Sequence, residues 1–281
     1  MDVLISPHRL AERLDGQHPP RLLDVRWSLD GPPGLPLHRA ERIPGSVYVD
    51  LETELAGHGA AVDGRHPLPQ IDDLTRAARS WGVNDGDGIV VYDDWSGLAA
   101  ARAWWLLSHA GVDDVSILDG GLRAWIGERM PTAGETDAQD EVPTGDVVLR
   151  YGTRETLSID EVAQLPARGV LLDARAGERY RGEVEPVDPR AGHIPGAISA
   201  PTTENLDDRG CFLGAAELRA RFASLGIAPG TAVGVYCGSG VTAAHEIAAL
   251  EIAGLRPALY PASFSQWSNL ADREVAVGPL P

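Results

Sequence analysis

Apolar positions in this chain fall into short β-branched runs, separated by stretches in which apolar residues recur at helical spacing. That alternation predicts an α/β architecture of parallel sheets between helices. In the second half it places strands near 169–174, 197–199, 231–237 and 257–260, and helices near 158–165, 215–225, 241–253 and 263–269. From 127 to 156 the apolar periodicity stops. That stretch is rich in proline, glycine, threonine and acids, and it reads as a linker.

The two halves repeat one another. Leu22-Leu23-Asp24-Val25-Arg26 recurs as Leu171-Leu172-Asp173-Ala174-Arg175, and Arg42-Ile43-Pro44-Gly45 recurs as His193-Ile194-Pro195-Gly196. Ile89-Val90-Val91-Tyr92 answers Val233-Gly234-Val235-Tyr236, and Trp125 answers Trp267. The order is kept while the loop lengths drift, which is the mark of a duplicated domain and not of a short solenoid repeat. With 281 residues there is room for two domains, expected over 1–140 and 145–281. The Asp-x-Arg pairs occur in both halves, which favours a structural ion pair. Trp104, Trp105, Trp125 and Trp267 read as packing residues.

Composition narrows the chemistry. A formal charge of −17 argues against nucleic acid or an anionic membrane as the main partner. Every basic residue is arginine, so a Schiff-base lysine and a phosphate-binding Gly-Lys-Ser/Thr loop are both excluded. The two cysteines, Cys211 and Cys237, form no Cys-x-x-Cys, which predicts neither a disulfide framework nor a thiolate zinc site and makes a reducing cytoplasm the expected location. His245-Glu246 lacks the second histidine of a His-Glu-x-x-His motif, so no metal site is expected there. No apolar run is long enough to span a membrane, and Met1-Asp2-Val3 lacks the positive charge of a signal peptide.

The sharpest local signal is Val233-Gly-Val-Tyr-Cys237-Gly-Ser-Gly-Val-Thr-Ala243: an apolar strand, a cysteine, a glycine-rich turn and the opening of a helix. Amides in such a turn add to the positive end of the helix dipole and would hold an anion above Cys237. Four readings fit a cysteine here. A buried structural cysteine is the bland one, favoured by residue type alone. A dinucleotide fingerprint matches Gly238-Ser-Gly240-Val-Thr-Ala243, but the strand comes late in its domain and the next one ends Leu259-Tyr260-Pro261, with no acid for a ribose. A cysteine phosphatase or arsenate reductase would want an arginine where Ala243 stands. Sulfur transfer through a cysteine persulfide needs what the loop offers, a nucleophilic sulfur and an amide-lined cradle.

The duplicated halves, the His-Ile-Pro-Gly segment, Asp-Gly-Gly-Leu-Arg-Ala-Trp at 119–125 and the Cys237 loop together resemble the tandem-domain rhodanese sulfurtransferases, and among them the 3-mercaptopyruvate branch. The resemblance covers nearly the whole chain outside the linker. It implies two rhodanese-like domains, each a parallel sheet flanked by helices, with the nucleophile in the second alone. Asp93 stands where the first half would carry its cysteine. It implies a persulfide on Cys237 held by the amides of Gly238, Gly240, Val241 and Thr242. Ser239 is implied to select 3-mercaptopyruvate over thiosulfate and to work with His66 and Glu52. For His66 a plain surface-loop histidine is the alternative. The resemblance further implies that Arg179 binds the donor carboxylate, with Arg190 as the candidate second arginine. The expected partners are a small sulfur donor and a thiol, cyanide or thioredoxin-like acceptor, with no cofactor. A persulfide carrier without turnover is the competing class.

Overall fold

The computed structural model describes residues 2–29, 31–137 and 141–281. The chain divides into two compact units, Met1–Ala56 with Pro69–Arg154 and Asp208–Cys211, and Gly57–Leu68 with Glu155–Asp207 and Phe212–Pro281. These differ from the expected halves: 57–68 belongs to the second unit, 208–211 to the first, and the end of the linker stays with the first. Val147 and Leu149 explain the last point, since both are buried and the segment donates from Gly145 to Arg79, from Val147 to Val83 and from Arg150 to Ala110.

In the first unit β1 (Leu4–Ile5), β2 (Arg21–Asp24), β3 (Val47–Tyr48), β4 (Ile89–Tyr92) and β5 (Val115–Leu118) form an all-parallel sheet ordered β1-β5-β4-β2-β3. The second unit pairs β6 (Val170–Asp173), β7 (Ala197–Ser199), β8 (Val233–Tyr236) and β9 (Pro257–Leu259) in the order β7-β6-β8-β9, again all parallel. The two orders match except for β1. Its counterpart is a single parallel bridge from Thr156 to Leu259. All four residues of β4 and of β8 are buried, as a central parallel strand covered on both faces requires. The second-half strands and helices lie within a few residues of their expected positions, and the short helix Gly177–Tyr180 is an addition. Among the described residues no helix is long and apolar enough to cross a membrane.

The repeated motifs hold one another in each unit. Arg26 Nε meets Asp24 at 2.7 Å and its Nη2 donates to the carbonyl of Glu41, next to Arg42-Ile43-Pro44-Gly45. Arg175 meets Asp173 at 2.6 Å and donates to the carbonyl of Gly192, next to His193-Ile194-Pro195-Gly196. The amides of Ile43 and Ile194 then donate to the hydroxyls of Tyr92 and Tyr236, which close β4 and β8. Strand ends, ion pair and turn therefore form one buried polar knot per unit. The indoles of Trp125 and Trp267 likewise cap equivalent carbonyls, at Pro131 and Glu274.

Candidate active site

Cys237 comes directly after β8 and is 2% exposed. Its Sγ accepts the Gly240 N–H at 3.1 Å. Gly240 reaches this position through a φ of +79°, which bends the loop tightly enough to turn its amides inward. The loop is pinned from the side. Cys237 N–H donates to Ser263 Oγ, and the carbonyls of Cys237 and Gly238 accept from Phe264 and Ser265. The amides of Ser239, Val241 and Thr242 meet no acceptor among the described residues, although Ser239 and Val241 are buried. Buried donors in that state are rare because they forgo hydrogen bonds to water. Here they belong to the loop that joins that sulfur to the 11-residue helix Thr242–Ile252, whose N-terminal dipole favours negative charge.

The first unit shows how the same place behaves when it holds an anion of its own. The Asp93 carboxylate accepts from the amides of Trp95, Gly97, Ala99 and Ala100 at 2.8–2.9 Å. Burial pushes this carboxyl up, against the downward pull of those four donors. The amide nest of the first unit is filled by its own side chain, so no reactive atom and no open cradle remain there.

Ser239 Oγ lies 2.7 Å from His66 Nδ1, and both residues are buried. His66 is therefore not a surface-loop histidine. Its segment belongs to the second unit because Arg65 N–H donates to Ser265 Oγ, Gln266 Nε2 donates to the Val62 carbonyl, and Gly57 N–H closes the loop onto Pro67. Gly64 makes the approach feasible. At φ +88° it passes so close to the neighbouring backbone that a Cβ would lie 2.7 Å from the Ala262 carbonyl.

Arg179 also reaches the loop. It binds Glu185 at 2.7 Å and Asp188 at 3.4 Å through Nη2, while its Nη1 faces Gly238. Glu185 lies below the usual carboxylate range: burial works upward, and the Asp188 amide and Arg179 outweigh it. Burial pushes Asp188 up, against the pull of Arg65 and Arg179.

One other candidate is engaged elsewhere. Arg190 donates to four backbone carbonyls, those of Ser268, Arg273, Trp267 and Leu270, at 2.7–2.8 Å. It fastens the end of the helix Ser263–Asn269, so the expectation that it binds substrate is corrected. Glu52 belongs to the first unit, where it accepts the Trp27 indole N–H at 2.6 Å. Cys211 is also part of the first unit and packs against Gly120. Sequence reasoning missed Arg65 and the acids Glu185 and Asp188. The proximity of Arg65 to His66 was the available hint.

A buried sulfur in an open amide nest, beside a serine–histidine pair and an arginine, can attack a donor and hold the sulfur anion it acquires. The model for the rhodanese-like domain matches residues 6–128 and again 158–270. A Mycobacterium tuberculosis protein provisionally named a thiosulfate sulfurtransferase is 45% identical over 279 residues, covering 98% of this chain and 97% of that protein. A Pseudomonas aeruginosa protein provisionally named a 3-mercaptopyruvate sulfurtransferase is 42% identical over 285 residues, with 98% of each covered. The crystal structure of an Escherichia coli 3-mercaptopyruvate sulfotransferase superposes with a TM-score of 0.82 at 30% identity, covering 93% of this chain and 98% of that one. With both halves matched and full-length relatives of one kind, the chain belongs to the rhodanese family of sulfurtransferases, in its form with two tandem rhodanese-like domains.

Proposed function

We propose that Cys237 takes sulfur from 3-mercaptopyruvate and passes it to a small thiol, to cyanide or to a thioredoxin-like reductant. The observation that carries this reading is the Cys237 nest itself: a sulfur and amides without acceptors in one loop, with His66 meeting Ser239 of that loop. The thiolate attacks the donor sulfur, an S–S bond forms and the donor C–S bond breaks. The electron pair leaves on carbon as the enolate of pyruvate. The persulfide S–H proton balances that charge, reaching the carbon through Ser239 and His66 to give the methyl of pyruvate, while the persulfide anion rests on the amides of Gly238 to Thr242. The acceptor thiolate then attacks the outer sulfur and releases Cys237. A reducing compartment such as the cytoplasm suits this cycle, since it keeps Cys237 a thiol between turnovers.

Thiosulfate is the second reading, favoured by the name of the Mycobacterium tuberculosis relative. Its leaving group is sulfite, which departs with its charge and needs no proton. A neutral serine–histidine pair is then of little use, and for that reason 3-mercaptopyruvate is the donor proposed. Steady-state turnover with each donor and excess thiol tests the reading. Many turnovers with a higher kcat/KM for 3-mercaptopyruvate are expected. The opposite preference would assign thiosulfate, and a single stoichiometric loading without turnover would make the protein a carrier.

A further inference from the structure

The geometry points to Arg65 as a second donor-binding residue, which with Arg179 clamps the carboxylate of an α-keto acid donor beside Cys237. The inference rests on the sulfur-transfer reading above and names a residue that the sequence resemblance did not offer.

The two guanidiniums converge on Gly238, the residue after the nucleophile. A Cβ there would lie 3.0 Å from Arg65 Nη2 and 3.4 Å from Arg179 Nη1. Each arginine is held by an acid through its other terminal nitrogen. Arg65 Nη1 pairs with Asp188, and Arg179 Nη2 pairs with Glu185 and Asp188. Asp188 is the shared anchor, with only 1% of its side chain exposed. The nitrogens that face Gly238 have no other partner among the described residues, and Arg179 Nε is buried with none. Two guanidinium forks, each fixed at the back by an acid, turn their remaining nitrogens toward the residue after the nucleophile, and forks of this kind match carboxylates.

Arg65 is accessible on the side of its acid anchor. Arg65 and Asp188 line a cleft of about 480 Å³ with Gly64, Val187 and Asn269, and 27% of the Arg65 side chain is exposed. Arg190, the arginine that chain position suggested for this task, is occupied by backbone carbonyls. Arg65 supplies the second cation instead, from a segment more than a hundred residues upstream that the second unit incorporates. Glycine at 238 fits the same purpose, since even a Cβ there would touch both guanidiniums.

The test compares 3-mercaptopyruvate with mercaptoacetone, which keeps the reacting thiol and ketone and carries a methyl in place of the carboxylate. In Arg65→Met, kcat/KM for 3-mercaptopyruvate should fall about ten- to hundredfold, chiefly through KM, while that for mercaptoacetone stays within about twofold. Arg65→Lys should recover part of the loss, and thermal unfolding should show that both variants are folded. An equal loss for both donors, or no loss for either, would overturn the clamp. If wild-type protein loads no sulfur on Cys237 from either donor, the sulfur-transfer reading falls and takes this inference with it.

Discussion

Ser239 brings a hydroxyl into the Cys237 loop, and its 2.7 Å contact with His66 Nδ1 puts an imidazole within hydrogen-bond reach of that hydroxyl. Ser239→Ala is expected to lower turnover with 3-mercaptopyruvate about a hundredfold, the low end for general acid–base assistance, and to affect thiosulfate far less. Parallel steady-state assays check this, and equal losses would remove the proton role. Arg190→Ala should act in the opposite way. It removes charge-assisted bonds to four carbonyls, so unfolding free energy should drop by about 1.5 to 3 kcal/mol or more, while KM for the donor is unchanged in the folded enzyme. Denaturant titration and kinetics on one preparation separate the two effects. The contrast between Arg190 and Arg65 shows what the sequence could convey at this scale. Cys237, Ser239 and Arg179 were legible because each sits in or next to a motif tied to strand ends. Arg65 was not, because a contact across such a separation in the chain leaves no local pattern.

Among the elements, the helix Thr242–Ile252 does more than aim its N-terminus at Cys237. Its next turn buries His245 against Thr202 and Glu246 against Asn205 and Arg221. Burial raises the Glu246 carboxyl to about 6, with Arg221 and Asn205 pulling it back down. Below about pH 4.5 the folded and unfolded chains both hold this proton. Between about 4.5 and 6 only the folded chain does, so stability contributed by Glu246 is lost as pH rises through that window, by about 2 kcal/mol in all. Glu246→Gln should lack this fall, and the difference between wild-type and variant stability curves over pH 4 to 7 measures it. A difference that stays flat across the window would show that Glu246 ionises as freely as in the unfolded chain. At this scale the sequence was most informative. β6, β8 and the helix after Cys237 stand where the apolar periodicity puts them, because fully buried parallel strands and their covering helices leave strong patterns. The polar knot of Asp173, Arg175 and Gly192 could be expected as an ion pair. Its grip on the turn before His193 could not, since a carbonyl acceptor has no side-chain signature.

Taken as a whole, the molecule carries two copies of one architecture, with Asp93 after the central strand of one and Cys237 after that of the other. The two nests explain the asymmetry in atoms: Asp93 fills the first with its own carboxylate, whereas Cys237 leaves amides open in the second. A net charge of −17 does not forbid anionic donors, because charges beyond about 8 Å are screened at physiological salt and the groups nearest Gly238 are guanidiniums. Domain boundaries were only partly legible, because the segment 57–68 folds with the second unit through side-chain contacts to Ser239, Ser265 and Gln266 that a linear reading cannot see. The central claim is that the open nest, and nothing else in the chain, stores the sulfur. Mass spectrometry after treatment with 3-mercaptopyruvate, in the absence of acceptor, tests it most directly. The account predicts one added sulfur atom per chain, mapped to the peptide of Cys237, unchanged in Cys211→Ser and absent in Cys237→Ser. Sulfur on Cys211, or loading that survives in Cys237→Ser, would contradict it.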